Sequence, residues 1–118
     1  MDSDFRPIKA PERELLEKLL GHEFPGRDQL REQLLSVAAQ QVHEDGTLAL
    51  RVLSGQPAPV KGRVPTEGSC PDADGVMIHV LLHVVSGMMD ELEIFKEDGT
   101  DIVRPPLAGA LVLAPPWT

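Results

Sequence analysis

The middle of the chain holds the residues that could do chemistry: Cys70, His79, His83 and the acids that follow them. The stretch "GVMIHVLLHVVSGMMDELEIFKEDG", residues 75–99, carries two histidines four apart and then Asp90, Glu91, Glu93, Glu97 and Asp98. On a helix, histidines four apart share a face and suit a zinc ion. On a strand the same spacing separates them by roughly 13 Å, too far for one ion to bridge. Val80, Val84 and Val85 favour the strand, as does the Ser86-Gly87 turn signal. The expectation is therefore a pair of half-exposed histidines facing carboxylates across a hairpin, with no metal and no cofactor. Cys70 could meet His79 or His83 as a nucleophile–base pair, but no third member and no oxyanion site accompany them. "DADG" at residues 72–75 opens like a calcium loop, yet lacks the later acidic ligands and reads as a turn. No phosphate-binding glycine loop or dinucleotide fingerprint is present.

The elements that must hold these residues follow from periodicity. In "APERELLEKLLG", Pro11 suits the first turn, and Glu12 and Glu14 favour the positive end of the helix dipole. Leu15, Leu16, Leu19 and Leu20 form one stripe and Gly21 supplies the stop. "RDQLREQLLSV" repeats the pattern with Leu30, Leu34 and Val37 or Leu35. Each segment is about three turns long, too short to stand alone, so both must pack on a sheet.

After Ser36 the period changes to alternation. "AAQQV" leads through "HEDGT", with a turn at Asp45-Gly46, into "TLALRVL", where Leu48, Leu50 and Val52 share a side. "VKGRVPTEGS" reads as an irregular edge because of Gly62, Pro65 and Gly68. The two strongest strands flank Ser86-Gly87. A plain two-residue loop would set Glu91 opposite Leu82 and Glu93 opposite Val80, driving carboxylates into the core. The preferred register is a three-residue loop with Gly87 at a bulge. It pairs Val84 with Met88, Val80 with Leu92, Ile78 with Ile94, His79 with Glu93 and His83 with Met89. Its equivalent has a bulge near Asp90-Glu91.

The expected fold is α+β: two short N-terminal helices on a mainly antiparallel meander of four to five strands. Residues 1–100 form this domain. Residues 101–118 form an extended, proline-containing tail, in which "LAGALVL" packs on the domain or adds a short strand. The expected core contains Leu15, Leu19, Leu30, Leu34, Leu50, Ile78, Val80, Leu82, Leu92 and Ile94.

Charge narrows the function. The net charge is −8, and residues 71–101 hold eight acids against one base, Lys96, while residues 1–59 are near balance. Nucleic-acid binding needs the opposite sign. The aromatic residues Phe5, Phe24, Phe95 and Trp117 are too few for a base-stacking platform. The apolar run at residues 76–85 is too short to span a bilayer as a helix. The acidic start at Asp2 and Asp4 and the single cysteine point to a cytoplasmic setting. These features suit a non-enzymatic interaction domain that meets a basic protein through Asp90, Glu91, Glu93, Glu97 and Asp98. The alternative is a small-molecule binder or minor enzyme with a pocket near Cys70, His79 and His83.

Three stretches, "RPIKAPERELLEKLLGHEFPGRDQLREQL", "GSCPDADGVMIHVLLHV" and "SGMMDELEIFKEDG", resemble a family of small uncharacterised bacterial domains. Its members carry an "ER-LL--LL---FPGR--L--QL" opening and an "LLHV--G---ELE" hairpin. The resemblance spans residues 6–99. It implies two helices followed by a mainly antiparallel sheet, and it supplies no activity or residue roles. The "ELE" hairpin is also similar in style to hairpins of small immunity proteins in bacterial toxin systems, so an immunity-like or regulatory role is one form of the interaction reading.

Overall fold

A computed structural model describes residues 4–115. Helices α1 (Ala10–Leu19) and α2 (Arg27–Gln33) precede most of a seven-stranded antiparallel sheet. Its strands are β1 (Arg6–Pro7), β2 (Val37–Gln41), β3 (Leu48–Val52), β4 (Thr66–Pro71), β5 (Met77–Val85), β6 (Met88–Lys96) and β7 (Val112–Leu113), in the order β1-β2-β3-β6-β5-β4-β7. The α+β class and the two helices are as expected, but the strands outnumber the expected four to five, and the sheet is not the expected meander, because β3 pairs with β6 and not with β4. The extra ones, β1 and β7, have two residues each, which is too short for any alternation to show.

Both helices lie on one side of the sheet. Leu15, Leu16 and Leu19 of α1 and Leu30 of α2 are buried against Leu50, Ile78, Val80, Leu82, Leu92 and Ile94. All ten expected core residues are buried. Each fully buried leucine contributes roughly 1.5–3 kcal/mol of transfer free energy. The molecule measures 40 × 40 × 20 Å, and the thin dimension fits one sheet and one helical layer. The opposite face of the sheet carries no helix.

Local chemistry sets the helix positions. Glu12 accepts the Lys9 N–H at 2.8 Å at the start of α1 and pairs with both terminal nitrogens of Arg6 at 2.9 Å. Burial alone would raise the Glu12 carboxyl, but the Arg6 guanidinium together with the Lys9 N–H and charge outweighs it and lowers its pKa. The second helix is shorter than its stripe suggested. It ends at Gln33, Leu34–Ser36 form a 3₁₀ turn, and Val37 already belongs to β2.

Two sheet expectations are corrected. Only the end of the segment read as an irregular edge is regular: Thr66–Ser69 join Cys70 and Pro71 in β4, six residues paired with β5 along its whole length and with β7 beyond it, while residues 60–65 carry no regular structure. Gly68 belongs there because it has no side chain: a Cβ would meet Leu111 Cγ at 2.9 Å. The β5–β6 register also differs from the preferred one. Val85 pairs with Met88 and Val84 with Met89 across a two-residue loop, Ser86-Gly87. The ladder then shifts, so that His83 faces Glu91, Leu82 faces Leu92, Val80 faces Ile94, His79 faces Phe95 and Ile78 faces Lys96. The unpaired residue is Asp90, an exposed carboxylate; without this bulge Glu91 would stand opposite Leu82 and Glu93 opposite Val80 on the core face. This is the equivalent solution with a bulge near Asp90-Glu91. It brings Leu92 and Ile94 to the core face and sends Glu91 and Glu93 to the other.

Beyond residue 100, Ala108–Ala110 make a 3₁₀ turn, Leu111 enters the core and β7 adds to the sheet. Trp117 and Pro116 lie outside the described residues.

Candidate functional site

The helix-free face of the β5–β6 hairpin gathers most of the residues singled out by sequence. Alternation places His79, Leu81 and His83 of β5 beside Glu91, Glu93 and Phe95 of β6, and all six are partly or fully exposed. Leu81 stands between Glu93 on one neighbouring strand and Glu67 on the other. Glu67 was not among the expected acids. It enters the group because β4 is a regular strand.

The histidines pair with carboxylates along the diagonals of the ladder. His83 Nε2 is 2.7 Å from Glu93 Oε1, and His79 Nε2 is 3.1 Å from Glu97 Oε1. His79 also stacks on Phe95, with ring centroids 5.0 Å apart and planes 19° from parallel. Arg63, from the segment between β3 and β4, donates its Nε–H to His83 Nδ1 at 2.9 Å, and its Nη2 lies 3.8 Å from Asp90. On the same face Arg51 lies over the Phe5 ring, 4.3 Å from its centroid. Asp98 sits apart, in a turn where its Oδ1 accepts the Thr100 hydroxyl and N–H, and these bonds lower its pKa.

Cys70 is elsewhere. It is buried on the helix-covered side, opposite Ile78, whereas His79 and His83 point to the other face. The sheet therefore separates the thiol from both imidazoles. Burial, and then the nearby Asp72 charge, raise the Cys70 pKa, away from the reactive thiolate. Among the described residues no group of three or more His, Cys, Asp or Glu side chains is placed to hold a metal ion. Nor is any helix long and apolar enough to cross a membrane.

One charged cluster escaped the sequence reading. Lys96 continues the core parity of Leu92 and Ile94, and its side chain is 1% exposed. Its ammonium donates to Asp74 at 2.5 Å and to the Asp101 carbonyl at 3.1 Å, and lies 3.0 Å from Asp72. Asp72 also accepts the N–H groups of Ala73, Val103 and Arg104. Burial alone would raise the Asp72 carboxyl. The Val103 N–H, Lys96 and the other two N–H groups overcome this and hold it far below the usual carboxylate range. The available signal was the alternation itself, since a lysine in phase with two core residues needs buried partners. The cluster is fully satisfied, and it pins residues 101–104 to the β4–β5 turn.

The clefts are shallow. One of about 470 Å³ is lined by Phe5, Val42, Ala49, Arg51, Asp90 and Glu91, one of about 350 Å³ by His43, Asp45, Phe95, Lys96 and Thr100, and a more apolar one of about 240 Å³ by Phe24, Pro25, Lys61, Val64 and Pro65.

A two-layer α+β domain with one helix-free sheet face is thus the class of protein that fold and site define. Residues 5–106 match the family described as a domain of unknown function (DUF6984), and the chain belongs to that family. No curated protein and no solved structure matches it.

Proposed function

We propose that the helix-free face of the β5–β6 hairpin is a docking surface for a basic protein, and that the domain acts by binding rather than catalysis. The observation that supports this is the joint placement of Glu91 and Glu93 on that face, around half-exposed Leu81 and beside Phe95 and His79. Leu81 standing between Glu67 and Glu93 gives an apolar centre flanked by carboxylates, an arrangement a complementary partner recognises. Asp90 extends the acidic surface at the turn end, and Glu97 and Asp98 extend it at the other. An immunity-like or regulatory role would use such a surface directly.

The test is a change of Glu91 and Glu93 together to glutamine. Against an isolated basic partner, the double variant binds with a slower association rate and a shallower salt dependence, because screening acts over about 8–10 Å at physiological ionic strength. Unchanged affinity and salt slope in a folded variant would reduce the acidity to a solvated surface. The reading of a pocket shared by Cys70, His79 and His83 has no support in the geometry, since the sheet lies between the thiol and the imidazoles.

A further inference from the structure

His83 has both ring nitrogens engaged, and the partners dictate its proton inventory. Arg63 Nε always carries a hydrogen, so the His83 Nδ1 that receives it at 2.9 Å must be a bare acceptor. A neutral imidazole then keeps its single hydrogen on Nε2, where Glu93 Oε1 accepts it at 2.7 Å. The three side chains form one directed line, Arg63 to His83 to Glu93, across the open face.

We propose that this line is a proton-operated latch that regulates the docking face: neutral His83 holds the Arg63 side chain down, and protonated His83 releases it. Protonation puts a hydrogen on Nδ1, so two donors and two positive charges would face each other at 2.9 Å. The guanidinium must leave, and Asp90, already 3.8 Å from Nη2, is placed to receive it. Each neighbouring element presents a charged group near His83. Glu91 and Glu93 come from β6, with Glu91 its direct cross-strand partner, and Arg63 comes from the preceding segment. Glu67 of β4 stands one residue along, opposite Leu81. The Arg63 backbone stays in place throughout, because its carbonyl accepts the Val84 N–H at 2.7 Å. Only the side chain is free to move. The consequence for binding rests on the docking reading: a new cation beside Glu93 and a displaced guanidinium weaken the face for a basic partner once His83 is protonated.

The latch is tested on the protein alone by ¹⁵N NMR of its imidazole and arginine Nε–H groups. At pH 8, His83 shows the Nε2–H tautomer and the Arg63 Nε–H is protected from exchange. As His83 protonates, the Arg63 protection factor falls at least about tenfold, the scale of losing a hydrogen bond from a charged donor. Arg27, whose Nε–H donates to Asp28 at 2.9 Å, shows no step at that pH. In His83→Gln the amide oxygen accepts from Arg63 at every pH, so the step disappears. An Nδ1–H tautomer at pH 8, an Arg63 signal indifferent to His83 protonation, or a step that survives in His83→Gln would each overturn the proposal. None of these readouts involves a partner. Failure of the docking test therefore leaves them untouched, and their failure leaves the docking test intact.

Discussion

Gln33 reaches from the last turn of α2 to the tip of the β5–β6 hairpin, where its Oε1 accepts the Met89 N–H at 2.9 Å. Its Nε2 donates to the carbonyls of Gly87 at 2.8 Å and Gln56 at 2.9 Å, and the side chain is fully buried. One amide thus joins a helix, a hairpin turn and the long segment before β4. Replacing Gln33 by leucine strands two backbone groups, the Met89 N–H and the Gln56 carbonyl, each costing about 1–3 kcal/mol when buried without a partner, while the Gly87 carbonyl keeps the Ala58 N–H at 2.8 Å. Denaturant unfolding of Gln33→Leu is expected to show a loss of at least about 2 kcal/mol. A loss well under 1 kcal/mol would mean that water reaches both groups.

Leu92 and Val80 are completely buried on the core face. Leu92→Ala should cost ~2–5 kcal/mol and Val80→Ala ~1–3 kcal/mol by loss of transfer energy and creation of a cavity. Melts of Leu92→Ala that match the parent protein would contradict the bulged register.

The Ser86-Gly87 loop has positive φ at both residues, 53° and 80°. Two-residue hairpin loops of this hand favour asparagine then glycine, and a left-handed serine is strained by about 1–2 kcal/mol. Ser86→Asn is expected to raise stability by up to ~1 kcal/mol. Gly87→Ala acts oppositely, because a Cβ there would lie 2.7 Å from Pro57 Cβ and 2.9 Å from the Ala58 nitrogen. Overpacking of this kind costs about 1–3 kcal/mol, added to the backbone strain. Thermal melts of the two variants should move in opposite directions.

Asp72 predicts an acid limb in the stability profile. Its carboxyl is depressed in the folded state and ordinary in the unfolded state, with a reference value of about 4. The folded chain therefore gains stability from the carboxylate above that value. The gain is lost progressively as pH falls toward the depressed folded value. Asp74 and Glu12 are lowered too, Asp74 chiefly by its hydrogen bond from Lys96, and they act in the same direction. The melting temperature of the parent protein should drop below about pH 4. Asp72→Asn should melt lower at pH 7 and show a shallower acid limb. An unchanged limb would place the acid sensitivity in other carboxylates.

Chelator treatment should leave the melting temperature where it is, since the two histidines of the hairpin are each turned to a carboxylate and not to each other. A drop that zinc restores would reverse that reading.

The parts of the fold legible in sequence were those governed by local period. The leucines of both helices, the Asp45-Gly46 turn and the alternation in β3, β5 and β6 each announce a face through residues only two to four apart. Gly68 misled because a glycine weakens a strand in isolation, yet here it makes room for Leu111, 43 residues later in the chain. The hairpin register misled because a loop and a bulge trade against each other: both conserve the core face, and only the cost of burying Asp90 separates them. At the candidate site, the sharing of a face by Glu91 and Glu93 was readable from parity. Arg63 on His83 and Asp72 beneath Val103 were not, since each bond spans 20 residues or more and no local pattern encodes it.

The bulge at Asp90 gives this stretch of chain a phase. Counting from Gly87, an odd number of residues must be spent before the ladder resumes at Glu91, or every later side chain in β6 changes sides. Deleting Asp90 alone would turn Leu92, Ile94 and Lys96 toward water and drive Glu91, Glu93 and Phe95 into the helices. That short deletion is more damaging than any substitution within the strand, and restoring one residue anywhere between Gly87 and Glu91 would repair it. Length here carries information that residue identity does not: at Asp90, that a residue exists matters more than which residue it is.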